Sequence, residues 1–301
     1  MNKLHFLEEM CREELDLGYD VPLSKYSTMR IGGAAQRVAT PKTKDMLVEL
    51  VKRASAENIE FRVSGFGSNI IFGNLDLLIN TSDLRRILLP QEQDMEKLDT
   101  IPLGQPAYLE LEAGFPLSGK NGLARLAERY SLKNAEFLVG IPGTIGGMAV
   151  MNAGVGSVDS ARIIRDVNLI APDGQILVLN HGELGFSHRF SRLQTDYKGF
   201  VVYSVKVQLE KAEQHSISEN TQKYLDKRYE QPTGPSIGSL WVRRGYIRED
   251  QRDIPSPTQY DADDVLGNAH CGGIASSSGR LFVPNDGRFI SYVVAQRVDG
   301  L

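Results

Sequence analysis

Gly140-Ile141-Pro142-Gly143-Thr144-Ile145-Gly146-Gly147 decides the fold, together with Met151-Asn152-Ala153-Gly154 shortly after it. Four glycines and a proline in eight residues argue against a stable helix or a central strand. Proline removes a donor, and glycine offers no side chain to pack. Irregular backbone so rich in small residues commonly lies against a ligand, because a flat ring system or a pyrophosphate can rest directly on the chain. Thr144 and Asn152 add side-chain hydrogen-bonding groups to that surface. A purely structural glycine turn is the weaker reading, since a second glycine pair lies upstream.

That pair is in Gly65-Phe66-Gly67-Ser68-Asn69. Two glycines one residue apart let backbone N–H groups crowd an anion with no Cβ in the way, and Ser68 and Asn69 supply further donors. Taken alone, the segment fits a plain turn between strands equally well. A Rossmann dinucleotide fold does not fit: the third glycine is missing, and Ile70-Ile71-Phe72 predicts a strand where a helix should begin.

Working outward, residues 4–16 read as a short polar helix. Met46, Leu47, Leu50, Val51 and Ala54 fall on one helical face, with Pro41 and Thr43 as start signals. Phe61-Arg62-Val63 and Leu77-Leu78-Ile79 are short strands, which places the first glycine segment between two strands. The alternation from Tyr108 to Ala113 predicts a half-buried strand, and Leu117, Leu123, Leu126, Ala127 and Tyr130 predict a helix. Val167, Leu169 and Ile170, then Pro172-Asp173-Gly174, then Ile176 and Val178 spell a hairpin turned by the Asp-Gly pair. Phe200 to Leu209 forms a strong strand. From about residue 213 the chain changes to a polar helix and then to a loop-rich stretch carrying Pro255 and Pro257.

A chain of 301 residues suggests two or three modules, at about 100 to 200 residues each. A net charge of -4 gives no general electrostatic reason to bind nucleic acid or an anionic membrane. The first residues break their apolar start with Glu8 and Glu9, and no apolar run reaches the length of a membrane helix. Cys11 and Cys271 are the only cysteines, which suits a reducing compartment. The five histidines show no metal-ligand spacing, so no metal is expected. A cytoplasmic monomer without nucleic-acid or membrane partners is the expectation.

Other segments carry single suggestive residues. Thr28-Met29-Arg30-Ile31-Gly32-Gly33 sets a cation beside a glycine pair, though a strand end with a surface arginine is the plainer reading. In Phe186-Ser187-His188-Arg189-Phe190-Ser191, flanking aromatics would make Arg189 a desolvated anchor for a carboxylate. Gly238-Ser239 presents a hydroxyl to a ligand or forms a turn.

In this order the segments resemble the UDP-N-acetylenolpyruvoylglucosamine reductase (UDP-N-acetylmuramate dehydrogenase) family. The resemblance rests on Thr28 to Gly33, Gly65 to Asn69, Ala113-Gly114, Gly140 to Gly154, Arg189 with Ser191, and Gln231-Pro232 through Gly238-Ser239. It implies an α+β architecture, the FAD-binding fold shared with vanillyl-alcohol oxidase. Two α+β subdomains, residues 20–95 and 96–212, would clasp FAD, and a short, atypical α+β domain over 213–301 would take the substrate. Non-covalent FAD is implied, with Arg30, Gly65, Gly67, Ser68, Asn69, Gly140, Ile141, Pro142, Gly143, Thr144, Gly146, Gly147 and Asn152 binding it. NADPH would be the co-substrate, and a UDP-linked enolpyruvyl amino sugar the acceptor. By position, Arg189 would stabilise the enolate, and Ser239 would protonate the carbon beside the carboxylate.

The resemblance fades after Trp241. The family ends in a segment with a catalytic glutamate that has no counterpart before Leu301, so the chain reads as diverged or truncated there. Leu240-Trp241-Val242 replaces an aromatic followed by a lysine, and no Lys-His pair follows Ser276-Ser277-Ser278. A flavin oxidoreductase for another substrate, or a flavin-binding pseudoenzyme, are the alternatives that follow from this departure.

Overall fold

Short apolar strands, interrupted by one helix-period run, build a small sheet at the start of the chain. The structure, a computed structural model, describes residues 4–10, 14–229, 241–242 and 291–292. α1 (His5–Met10) buries Phe6, Leu7 and Met10. The predicted helix over 4–16 stops there: Leu15 begins strand β1 (Leu15–Pro22), where Gly18 and Pro22 disfavour a helix. β2 (Ala34–Pro41), α2 (Lys44–Ala56), β3 (Phe61–Ser64) and β4 (Leu75–Asn80) follow. The sheet order is β1-β2-β4-β3, with β2 and β3 both parallel to β4. Thr43 caps α2 by accepting the Met46 N–H at 3.3 Å. The helix lays Leu47, Leu50, Val51 and Ala54 against Leu77 and Ile79, the face that the sequence spacing predicts. Each leucine, isoleucine and valine among them contributes about 1.5–3 kcal/mol by leaving water.

A second, antiparallel sheet begins with β5 (Ile87–Leu89) and β6 (Pro106–Glu112). α3 (Leu123–Arg129), β7 (Leu132–Lys133), α4 (Ile145–Met151), and the short pair β8 (Gly154–Val155) and β9 (Val158–Asp159) come next. β10 (Ile164–Ile170), β11 (Ile176–Asn180), β12 (Val201–Lys211) and the polar helix α5 (Gln214–Tyr229) complete it. The order is β11-β10-β12-β6-β5, with β7 also paired to β12. The Asp173-Gly174 turn forms as the sequence predicts, with Gly174 at φ 85° and Ile170 opposite Ile176. Leu109, Leu111, Val167, Leu169, Val205 and Val207 form one core with Leu123 and Ala127 of α3 and Ile145, Met148 and Ala149 of α4.

Two local expectations change. The glycine-proline segment is only half irregular, because Gly146 and Gly147 lie inside the first turn of α4. Packing there overrides propensity: a Cβ on Gly146 would sit 2.9 Å from the Ala113 Cβ. Ile70-Ile71-Phe72 forms no strand beyond a single bridge from Phe72 to Gly32. Gly33 and Gly73 meet backbone to backbone beside it, where a Cβ on Gly33 would lie 2.6 Å from the Gly73 carbonyl carbon.

The described chain forms two compact units. Residues up to Val21, 35–66 and 75–229 make the first, and Pro22–Ala34 with Gly67–Asn74 make the second. Ser239 and most of the expected substrate domain lie outside the described residues. Among those described, no helix is long and apolar enough to cross a membrane, and no three metal-ligating side chains gather.

Candidate functional site

In the first unit, the glycine-proline loop is sewn to the end of β6 and the segment after it. Gly143 O accepts the Leu117 N–H at 3.0 Å, Ile145 N–H donates to Phe115 O at 2.9 Å, and Gly146 N–H donates to Ala113 O at 2.8 Å. Thr144 caps α4, its Oγ1 accepting the Gly147 N–H at 3.4 Å. Its side chain is only 3% exposed, so the hydroxyl faces the protein. The N–H groups of Gly143 and Thr144 have no acceptor among the described residues.

Gly65 meets this loop directly. A Cβ on Gly65 would overlap the Thr144 hydroxyl and lie 2.6 Å from the Thr144 Cγ2, so only glycine permits the approach. Asn80, buried, holds the turn by donating from Nδ2 to Gly65 O at 3.2 Å and accepting the Ser82 N–H at 2.8 Å. The Gly65 N–H also lacks an acceptor among the described residues. Two glycine segments far apart in sequence therefore converge, and their unpaired donors come with them.

The second unit keeps its own clasp. Gly67, at φ 61°, accepts the Thr28 N–H at 3.1 Å through its carbonyl, and a Cβ there would collide with Tyr26 O. Ser27 Oγ donates to Ile70 O at 3.1 Å. Arg30 is left-handed at φ 59°, with its N–H on Ser27 O at 2.9 Å and its side chain exposed. The N–H groups of Gly67, Ser68 and Asn69 find no acceptor among the described residues.

Back in the first unit, α4 ends at Asn152, left-handed at φ 43°. That side chain is 1% exposed. Its Nδ2 donates to Ser187 O at 2.8 Å, while its Oδ1 accepts the Ala161 N–H at 2.8 Å and the Ser160 hydroxyl at 3.4 Å. Ser191 Oγ and Gln194 Nε2 donate to Val150 O at 2.7 and 2.8 Å. Ser187 and Phe190 bond each other twice, at 3.0 and 3.1 Å, and Arg189 occupies the turn at φ 54°. Its guanidinium donates to Asn152 O at 3.3 Å and Gly154 O at 2.6 Å.

Burial pushes the Arg189 pKa below the usual guanidinium value, with Asp159 opposing. Burial also lowers that of His188, and the charge of Arg189 adds to the effect. Arg228 of α5 is lowered by burial and then by Arg189, so two partly desolvated guanidiniums share one region. Its stem covers Gly140: a Cβ on Gly140 would lie 2.9 Å from the Arg228 Cγ. Gly140 itself is at φ 73°, with its N–H on Ser118 Oγ at 3.0 Å.

The fold thus brings Gly65 onto the Gly140 to Gly147 loop and places Arg189 at the other end of α4. It turns Thr144 Oγ1, Gly146 and the Asn152 carboxamide inward, and it leaves Arg30 and Gly67 to Asn69 in the other unit. Sequence reasoning missed Arg228 and Ser118. The sequence signal for Arg228 was a basic last turn in a polar helix, which reads equally as a solvated face.

A family profile described as FAD binding domain matches residues 35–180. The chain is 31% identical over 252 residues to UDP-N-acetylenolpyruvoylglucosamine reductase 1 of Bacillus thuringiensis subsp. konkukian (strain 97-27), covering 83% of this chain and 74% of that one. It is 33% identical over 233 residues to UDP-N-acetylenolpyruvoylglucosamine reductase of Streptococcus pneumoniae (strain JJA), covering 77% and 72%. Among solved structures it is similar to the UDP-N-acetylenolpyruvylglucosamine reductase from Thermus caldophilus, with a TM-score of 0.56 at 24% identity over 85% of this chain and 80% of that one. The fold is the α+β FAD-binding fold.

Proposed function

The chain belongs to the UDP-N-acetylenolpyruvoylglucosamine reductase family, and on that premise we propose how its residues divide the work. The reaction is the FAD-dependent reduction, with NADPH, of UDP-N-acetylglucosamine enolpyruvate to UDP-N-acetylmuramate in peptidoglycan precursor synthesis. FAD, when bound, supplies hydride transfer between the nicotinamide and the enolpyruvyl group. The residues present suit that group: the N–H groups of Gly65, Gly143 and Thr144, without acceptors among the described residues, are donors for a diphosphate. Gly140, Ile141, Pro142 and Gly147 provide a surface of little relief for a flat ring. Arg30, Gly67, Ser68 and Asn69 keep a cofactor-contacting role in this reading, supported by the unpaired N–H groups of residues 67–69.

Reduction of an enol ether puts negative charge on the conjugated carboxylate. Arg189 meets that charge as a half-buried cation, where a low local dielectric strengthens its pull. Arg228 shares this region, its pKa lowered by burial and then by Arg189. Ser239 delivers the proton to the adjacent carbon. Division near residues 95 and 212 belongs to the same proposal, as do a cytoplasmic location and a monomeric state. Two apolar cores, one mostly before residue 90 and one after it, support the division near residue 95.

The observation that carries the reading is the packing of Gly65 on Thr144, which gathers free backbone donors from both glycine segments. Anaerobic mixing with NADPH should bleach the flavin, and adding the enolpyruvyl UDP-sugar should restore its absorbance. Arg189→Ala should keep the colour and the bleaching but slow recovery about 100- to 1000-fold, the usual cost of losing an oxyanion stabiliser. Unimpaired recovery in that variant would remove Arg189 from the chemistry, and failure of the parent enzyme to recover would favour a different substrate.

A further inference from the structure

The charged residue assigned to the chemistry does not hold its own position. Arg189 sits at a left-handed corner of a short turn, and that turn is tied to the end of α4 by side chains. Val150 O receives Ser191 Oγ at 2.7 Å and Gln194 Nε2 at 2.8 Å, and Asn152 Nδ2 reaches Ser187 O at 2.8 Å. The Asn152 backbone carbonyl then accepts the Arg189 guanidinium at 3.3 Å. Among the described residues, Asn152 is the one that bonds both the loop, at Ser187 O, and the Arg189 guanidinium. It is also the left-handed cap that ends α4, at φ 43° and ψ 56°. Its Oδ1 fixes the side chain from the other direction, by accepting from Ala161 N–H at 2.8 Å.

α4 is capped by Thr144, whose N–H, like that of Gly143, has no acceptor among the described residues, and it spans about 10 Å at 1.5 Å per residue. One rigid element therefore separates the glycine loop from the guanidinium. We infer that Asn152 is a positioning residue, joining the end of α4 to the Arg189 turn so that the cation stands at a fixed distance from the glycine-proline loop. This inference rests on the reading of Arg189 as the carboxylate partner. It moves Asn152 from contact with the cofactor to control of the cation. Being 1% exposed, the side chain has no surface to offer a ligand.

Asn152→Gly is the informative change, because glycine adopts the left-handed cap freely and removes the side chain while leaving the backbone carbonyl that meets Arg189. Binding to the oxidised FAD-loaded protein can be read from flavin absorbance with two ligands: UDP-N-acetylmuramate, which carries the carboxylate, and UDP-N-acetylglucosamine, which lacks it. The variant should keep FAD and be reduced by NADPH within about threefold of the parent rate. It should bind UDP-N-acetylmuramate about 10-fold more weakly, bind UDP-N-acetylglucosamine within about twofold, and recover from reduction 10- to 100-fold more slowly, on the scale of about a 1 Å misplacement. A general structural defect would weaken both ligands alike.

Arg189→Ala is the reference. If it fails to discriminate between the two ligands, the reading of Arg189 falls and this inference falls with it. If Arg189→Ala discriminates and Asn152→Gly does not, only the positioning role is overturned. Loss of FAD from folded Asn152→Gly would also overturn it and return the residue to the cofactor. Should the glycine variant fail to fold, Asn152→Asp takes its place with the same expected discrimination, since aspartate keeps the acceptor for Ala161 and lacks the donor for Ser187.

Discussion

Gly65 and Thr144 meet at a contact that admits no additional atom. Gly65→Ala adds a methyl group that overlaps the Thr144 hydroxyl, so one loop must move by several tenths of an ångström or more. Overpacking of this kind costs about 1–3 kcal/mol, and here it separates donors that must act together. The variant should fold and bind FAD at least about 10-fold more weakly, which equilibrium titration would measure; unchanged affinity would show that the two loops need not touch. His188 gives a second test at this scale. Its pKa lies below the ordinary histidine value because burial, and then Arg189, disfavour the charged ring. The unfolded chain therefore binds the proton first as pH drops, so stability present above about 6.5 declines as pH falls through the depressed folded value. Thermal melts of His188→Gln should show a flatter acid side than the parent. From the sequence, residue type alone limits what Arg189 and the glycines can do, a cation in one case and close backbone approach in the other. Side-chain direction was not legible: Thr144 and Asn152 read as ligand donors, and the fold uses both as helix caps.

α4 shows how packing overrides local preference. Its two glycines, Gly146 and Gly147, lower helix propensity by about 1 kcal/mol each, yet the helix forms because Ile145, Met148 and Ala149 enter the core and Gly146 fits against Ala113. No pattern within residues 140–147 could disclose that, since the partner strand is elsewhere in the sequence. The hairpin at Asp173-Gly174 and the helix capped by Thr43 were legible because their signals are local. Thr144→Ala removes the cap of α4 and should lower stability by about 1 kcal/mol in denaturant unfolding. β6 and β12 carry another testable feature. Glu112, fully buried, accepts the Arg86 backbone N–H at 2.8 Å and its guanidinium at 2.8 and 2.9 Å, with the Tyr203 hydroxyl at 3.4 Å. Burial first, and then the Glu112 charge, push the Tyr203 phenol up to about 12. The folded state thus favours the neutral phenol. Stability should hold below pH 10 and decline between about 10 and 12, and Tyr203→Phe should flatten that decline.

Across the whole molecule, the two sheets follow from different patterns. The first mixes short apolar strands with one amphipathic helix, and its strands β2, β3 and β4 run parallel. The second has longer alternating strands and becomes antiparallel, with β12 at its centre. The α+β character was therefore readable from periodicity, and the FAD-binding fold from the family resemblance, whereas the meeting of Gly65 with Thr144 depends on tertiary packing. The central claim is that backbone donors from both glycine segments hold one FAD. Its most direct test is a titration of flavin-free protein with FAD, followed by quenching of flavin fluorescence. Saturable binding of one equivalent, weakened by Gly65→Ala, is the predicted result; a folded protein that leaves flavin fluorescence unchanged at every ratio would contradict the account.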